Sequence, residues 1–321
     1  MPRKLLIDTD TASDDAVALI MALQSRDVDV LAITTVAGNV AVEQATRNAL
    51  YVVELCGSDV PVYMGAAKPL LREYVNAEWF HGRDGLGEHN YPAARRSAEP
   101  LHAVDAIIRT IDANPGIMVV TLGPLTNLAL AVARYPALVQ NVSRFVIMGG
   151  NPCCEGNVTP AAEYNIYVDP EAARIVMRSG LPVELVGWHL CRGDAVLNPR
   201  DIEHVLSLGT PLAKFAVECN STAMEALRVQ TGEIGICLPD PVAMSIALDP
   251  GVCNSASEHL VDVEVCSELT RGMTVVDRLG VCGDIRNRDL WRNVKSVRVC
   301  WTIDVPQWKR ALIDALSSCR I

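Results

Sequence analysis

The segment DTDTASDD places Asp8, Asp10, Asp14 and Asp15 within eight residues. Four carboxylates so close repel one another unless positive charge intervenes, and no Lys or Arg stands between Lys4 and Arg26. A hard divalent cation with oxygen ligands is the natural counter-charge. Residues i and i+2 of a strand point to the same side, so Asp8 and Asp10 are expected to share a face. A tight strand-to-helix turn would return Asp14 and Asp15 to the same place. The bland alternative is helix capping by Ser13 and Asp14 with the other carboxylates solvated. It accounts for one or two aspartates, but poorly for four.

The flanking sequence supplies elements that can hold such a cluster. KLLID reads as a short buried strand, and DDAVALIMALQS has helical spacing at Ala16, Leu19, Ile20 and Leu23. VDVLAITTVAG is a second buried strand. The alternation recurs in IMVVTLG before TNLALAVARY, in RFVIMGG before DPEAARIVMRSG, and in PVELVGW. Asp169-Pro170 is a good helix start in its own right. Repeated β–α units with apolar strands predict an α/β fold: a mostly parallel central sheet with helices on both faces. Ligands of open sheets bind at the carboxyl ends of the strands, where the aspartates fall. From about Leu206 to Leu248 the pattern turns helical; the tail returns to strands at HLVDVEVC, TRGMTVVD and SVRVCWTID and closes on the helix VPQWKRALIDAL. The stretch EWFHGRDGLGEHNYPAARRSAEP reads as a long polar loop. With no low-complexity linker, residues 1–321 are expected to form a single domain with loop and helical insertions around the site.

Composition narrows the partners. The 321 residues are 50% hydrophobic and 21% charged, as a folded protein requires. A net charge of -10 and 5% aromatic content argue against nucleic acid and anionic membranes. No G-x-x-x-x-G-K-[ST] loop occurs, so nucleoside triphosphate binding has no support. Eleven cysteines without a C-x-x-C pair fit neither a zinc spacing nor a secreted disulfide framework. They read as small packing residues of a reducing compartment. The N-terminus has no signal-peptide core, so a cytoplasmic location is expected.

The aspartate segment extends to DTDTASDDAVAL, and it resembles the N-terminal signature of the inosine–uridine-preferring nucleoside hydrolases. ITTVAGN, TLGPLTNLA, VIMGG, GNVTPAAEYNIYVDPEAA, PDPVA and RGMTVVD resemble further family segments, in the same order. The resemblance runs nearly end to end. It implies a Rossmann-like open sheet and hydrolysis of the N-glycosidic bond of ribonucleosides to free base and ribose. It implies Ca²⁺ as cofactor, held by Asp10, Asp15, Asp240 and the carbonyl of Leu122. Asp10 would also be the general base. Asp14, Asn39, Met148, Asn157, Glu163, Asn165 and Asp240 would surround the ribose, with Asp8 behind the ligands. Glu163 and Asn165 would face one ligand together if their segment were extended. A homodimer or homotetramer is the implied assembly.

The chemistry matches those residue types. Cleavage of an N-ribosidic bond passes through an oxocarbenium-like state, as in glycoside hydrolysis. A metal lowers the pKa of a bound water, and a carboxylate removes its proton.

The base side departs from the family. Many members carry His immediately before the last metal aspartate, whereas Pro239 stands here and has no proton to give. His81, Trp188, His189, Glu225, Arg228 and Cys237 are the candidates for contact with the base, with His81 preferred; Trp79 is a further stacking candidate. Each has a bland reading: a lone His is more often a solvent-facing or satisfied structural group, Trp188 can be core packing, and Cys237 a small apolar filler. Two other functions stay open. One is a phosphatase of the haloacid-dehalogenase type, for which the D-x-D fits but Ala12 does not. The other is a nucleoside or ribose sensor that has lost turnover, an idea kept alive by Pro239.

Overall fold

The computed structural model describes residues 2–284, 286 and 288–317. The ends of the expected domain, with Cys319, lie outside the described residues.

Strands buried on both faces set the architecture. Along β1 (Arg3–Thr9), Leu5 and Ile7 enter one apolar core while Leu6 enters the other. The strand therefore reads as a continuous apolar run, as parallel strands covered by helices do. The remaining strands are β2 (Val28–Thr35), β3 (Val62–Met64), β4 (Ile117–Thr121), β5 (Val142–Met148), β6 (Val183–Val186), β7 (Cys253–Val263), β8 (Thr274–Val276) and β9 (Ser296–Ile303). They form one sheet in the order β3-β2-β1-β4-β5-β6-β9-β7-β8. The pairs from β3 through to β9 are parallel, and β7 pairs antiparallel with both β9 and β8. The α/β reading of the sequence is thus what the chain forms, with the tail strands as an antiparallel edge. The three-residue β3 is too short to show a period in sequence.

The chain winds outward from β1 in one direction and from β4 in the other. The crevice between these two strands is the switch point where open sheets bind ligands. The helix Ser13–Gln24 starts there, directly after β1. It packs against the helix Pro239–Leu248, which brings Asp240 to the same crevice. Pro239 occupies the first helical turn, where its missing N–H costs nothing. Among the described residues no helix is long and apolar enough to cross a membrane.

The cysteines divide into two groups. Cys56, Cys191, Cys219, Cys237, Cys282 and Cys300 are buried, as packing residues should be, but Cys153 and Cys266 are exposed and Cys154 and Cys253 half-buried. All ten are unpaired.

Candidate active site

The aspartate cluster is buried: Asp8, Asp10 and Asp15 are 0% exposed, Asp240 2% and Asp14 6%. Helix capping by Ser13 and Asp14 does not explain it. The N-cap residue is Ala12, whose N–H donates to Asp15 Oδ2 at 3.0 Å. Thr9 Oγ1 donates to Asp15 Oδ1 at 2.5 Å. Asp8 lies behind, accepting from Thr34 Oγ1 at 2.5 Å and Asn127 Nδ2 at 2.9 Å. Asp10 Oδ2 accepts the backbone N–H of Asn39 at 2.6 Å.

Two glycines make room for Asp10. A Cβ on Gly38 would lie 2.0 Å from Asp10 Oδ2, and one on Gly123 would lie 2.7 Å from Asp10 Oδ1. Any other residue at either position would displace the carboxylate.

Carboxylate oxygens of Asp14, Asp15 and Asp240 lie within 4.8 Å of one another. Asp10 joins them through its contact with Asp15. Among the described residues this triple contains Asp14 in the place expected for Asp10. Burial raises the pKa of all these groups, and mutual repulsion adds to the rise for Asp10, Asp14 and Asp240. Asp14 is pushed up to about 8 and Asp8 to about 7. Asp10 Oδ1 and Asp14 Oδ1 are buried with no hydrogen-bond partner. Unpartnered buried carboxylate oxygens are costly. With carboxylate oxygens of Asp15 and Asp240 beside Asp14, the cluster offers the oxygen donor set that a hard cation takes, so the residues fit a divalent metal.

A cavity of about 260 Å³ opens above the cluster. Asp14, Asp240, Asn39, Leu122 and Met148 line it, whereas the buried Asp10 and Asp15 are not among its lining residues. Asn157, Glu163 and Asn165 line one side. Glu163 and Asn165 are not on an extended segment. Glu163 caps the short helix Tyr164–Val168, accepting from Asn165 N at 2.9 Å and Ile166 N at 3.3 Å, and from Gly150 N at 2.7 Å. Capping, rather than strand alternation, brings the two side chains together. Asn165 Nδ2 donates to the Leu122 carbonyl at 2.8 Å, and Asn157 Oδ1 accepts from Tyr164 N at 2.9 Å. Asp169 has the expected structural role, accepting from Ala172 N at 3.1 Å.

The base-side candidates separate. His81 lines the cavity from the short helix Glu78–His81, with Nδ1 2.8 Å from Ser13 Oγ. Burial pushes its pKa down to about 3, so the imidazole is neutral, and at 3.8 Å from Asp14 Oδ1 it forms no ion pair. Trp188 and Cys237 also line the cavity. His189 does not; its ring packs towards Trp301, with centroids 6.4 Å apart. Glu225 and Arg228 do not either: they pair with each other at 2.6 Å on an exposed helical face. The helix Ser221–Thr231 instead presents Ala223 and Gln230 to the cavity. At about 100° per residue, those two share a face while Glu225 and Arg228 point away. Gln230 Nε2 donates to the Asn157 carbonyl at 2.5 Å, bridging the mouth. Tyr164, Asn220 and Phe80 are lining residues that sequence reasoning did not find. The i, i+7 pair Ala223 and Gln230 was the available signal for the helix face.

The sequence model of the inosine-uridine preferring nucleoside hydrolases matches residues 5–310. The chain is 39% identical over 320 residues to a pyrimidine-specific ribonucleoside hydrolase, RihA, of a Shewanella species, covering 99% of this chain and 97% of that one. Among solved structures, a plant nucleoside hydrolase superposes with a TM-score of 0.93 at 34% identity, covering 99% of this chain and 100% of the other. A purine-preferring ribonucleoside hydrolase from Gardnerella vaginalis gives 0.87 at 31% identity, with 98% of both chains covered. These matches leave the phosphatase reading without support.

Proposed function

We infer, since the chain belongs to the inosine-uridine preferring nucleoside hydrolase family, that it hydrolyses the N-glycosidic bond of ribonucleosides to free base and ribose. The observation that carries the site assignment is the pair of unpartnered oxygens, Asp10 Oδ1 and Asp14 Oδ1, buried in one acidic cluster below a cavity lined by amides.

Asp10, Asp15, Asp240 and the Leu122 carbonyl are the proposed ligands of a Ca²⁺ ion. When bound, the ion lowers the pKa of water at the site and offsets the carboxylate repulsion. Asp10 receives the proton of the attacking water. Its Oδ2 is engaged by Asn39 N–H, so Oδ1 is the oxygen left for that transfer. Asn39 thereby fixes the angle of the base. Asp14, Asn157, Glu163, Asn165 and Asp240 hold the ribose hydroxyls, and Met148 packs against the sugar. Asn157 has its Oδ1 committed to Tyr164 N–H, so its Nδ2 is the group that donates to a hydroxyl. Asn165 has its Nδ2 committed to Leu122, so its Oδ1 accepts. The carboxylates also favour the positive charge that develops on the sugar ring.

A site that hydrogen-bonds several hydroxyls rejects a sugar lacking one, so ribosides are preferred to 2'-deoxyribosides. His81 is the proposed contact to the base. Neutral at physiological pH, it can present one ring N–H or one lone pair to a heteroatom. Two of the three named relatives differ in base preference, one pyrimidine-specific and one purine-preferring, so the nucleoside panel below includes both kinds of base. A cytoplasmic homodimer or homotetramer is the proposed setting, checked by light scattering. The deciding experiment is a nucleoside panel assayed for free base and reducing sugar, with and without chelator. Release of both, lost on chelation and regained with Ca²⁺, is the expected result. Full activity after stringent chelation overturns the metal assignment, and nucleoside binding without base release overturns the hydrolase reading.

A further inference from the structure

Two buried cysteines meet at the cavity wall. Cys237 Sγ lies 3.2 Å from Cys191 Sγ and 3.3 Å from the Cys191 carbonyl oxygen. Both are unpaired thiols. Their segments are clamped together a few residues away, where Leu197 and Ile236 exchange both backbone hydrogen bonds at 3.0 Å. The sulfurs are thus held as neighbours by main chain as well as by side-chain packing. Cys237 lines the cavity, and Cys191 does not. A small oxidant therefore has a route to one sulfur, with the second directly behind it. Neither thiol is needed by the hydrolytic chemistry derived above.

We propose that Cys191 and Cys237 are a peroxide-responsive dithiol, which a hydroperoxide entering the cavity converts to a disulfide that slows turnover. Cys237 sulfur attacks one peroxide oxygen, the O–O bond breaks, and the thiol proton leaves with the departing water or alcohol. The product is a sulfenic acid at Cys237. Cys191 sulfur then attacks Cys237 sulfur and expels water, whose second proton comes from the Cys191 thiol. Two thiols lose two electrons and the peroxide gains them. Bonding draws the sulfurs from 3.2 Å to about 2.05 Å. Cys237 is followed by Leu238, Pro239 and Asp240, so its shift is transmitted to the wall of the site. The linkage stands apart from the hydrolase reading; its effect on turnover and its slowing by ribose rest on it.

The test treats the full chain with hydrogen peroxide, alkylates remaining thiols, digests without reduction and maps the peptides by mass. The expected product is a peptide pair joined through Cys191 and Cys237, formed several-fold more slowly when D-ribose saturates the cavity. Recovery of Cys237 as an alkylated thiol or as a sulfinic acid, with no linked partner, overturns the proposal. Ribose-independent linkage overturns the route through the cavity. Nucleoside hydrolysis is expected to fall at least threefold in step with the linkage and to return with dithiothreitol. The Cys191→Ser variant, altered outside the cavity, is expected to keep its basal rate and resist that fall. Complete linkage with unchanged turnover overturns the regulatory part alone.

Discussion

The floor and the mouth of the cavity are built on opposite plans. The floor is made of side chains 0–6% exposed, fixed by short hydrogen bonds at the ends of β1 and β2 and at two helix starts. The mouth is made of a one-turn helix, a loop and one face of the helix Ser221–Thr231, with Trp79 62% exposed. Electrostatic preorganisation needs groups that do not move as charge develops, so rigid strand ends suit the floor. Admission and discrimination of ligands tolerate and even need mobile elements, so the mouth lies on loops. The difference predicts that substitutions in the floor will act on every substrate alike, whereas those at the mouth will act by substrate.

The largest effect expected is at Asp10. Asp10→Asn keeps the shape and removes the proposed proton acceptor, so kcat should fall by about 10³-fold on all nucleosides, within the usual range for a general base. Circular dichroism should show the fold unchanged. A loss under tenfold breaks the comparison, because the floor would then not be where the proton moves. Glu163→Gln comes next. It weakens the proposed hydroxyl contact and the cap of Tyr164–Val168, and kcat/KM should drop by roughly 10²-fold for ribosides, narrowing the gap to 2'-deoxyribosides. Similar losses for both sugars would show that Glu163 acts only through folding.

Chelated protein gives a test without mutation. Asp14 and Asp8 have folded-state pKa values of about 8 and about 7, above the ordinary 3.8. The folded state therefore holds more protons than the unfolded state between pH 4 and 8. Stability must fall as pH rises through that window, and below pH 4 the difference disappears. Thermal melts in chelator should show Tm lower at pH 8 than at pH 5, and added Ca²⁺ should recover most of the difference. A flat profile in chelator would mean that these carboxylates are already compensated.

At the mouth the effects shrink. His81→Ala should change kcat/KM by about tenfold for some bases and little for others, as the loss of one neutral hydrogen bond allows. A uniform loss would assign His81 to the floor, acting through Ser13. Glu225→Ala and Arg228→Ala should stay within about twofold on every nucleoside, since an exposed ion pair carries little energy.

The same division governs what could be read without coordinates. Asp8 to Asp15 announce themselves because one strand, one turn and one helix start must carry like charges together. The parallel sheet was legible because both faces of each strand are apolar. Gly38 and Gly123 were not, since closeness to Asp10 is a tertiary fact. The resemblance puts Glu163 and Asn165 together, but the extended segment expected to join them is an N-cap instead, because an N-cap and a strand give similar local spacing. Glu225 and Arg228 failed on helical phase: charge drew attention to the solvent face, and the cavity uses the face carrying Ala223 and Gln230. His189 failed because a strand-end residue can turn either way, and here it turns to Trp301.

Asp240 reaches the cluster from a helix that begins 224 positions after Asp15 and its neighbours have been made, at Pro239. During synthesis the aspartates after β1 therefore emerge first and wait, since domains assemble from the N-terminus as chain becomes available. Until the helix Pro239–Leu248 docks on Ser13–Gln24, the nascent chain carries an acidic crevice without its last carboxylate. A ribosome-stalled chain ending before residue 239 should bind divalent cations weakly, and cation capture should mark the moment when the two ends of the molecule have met.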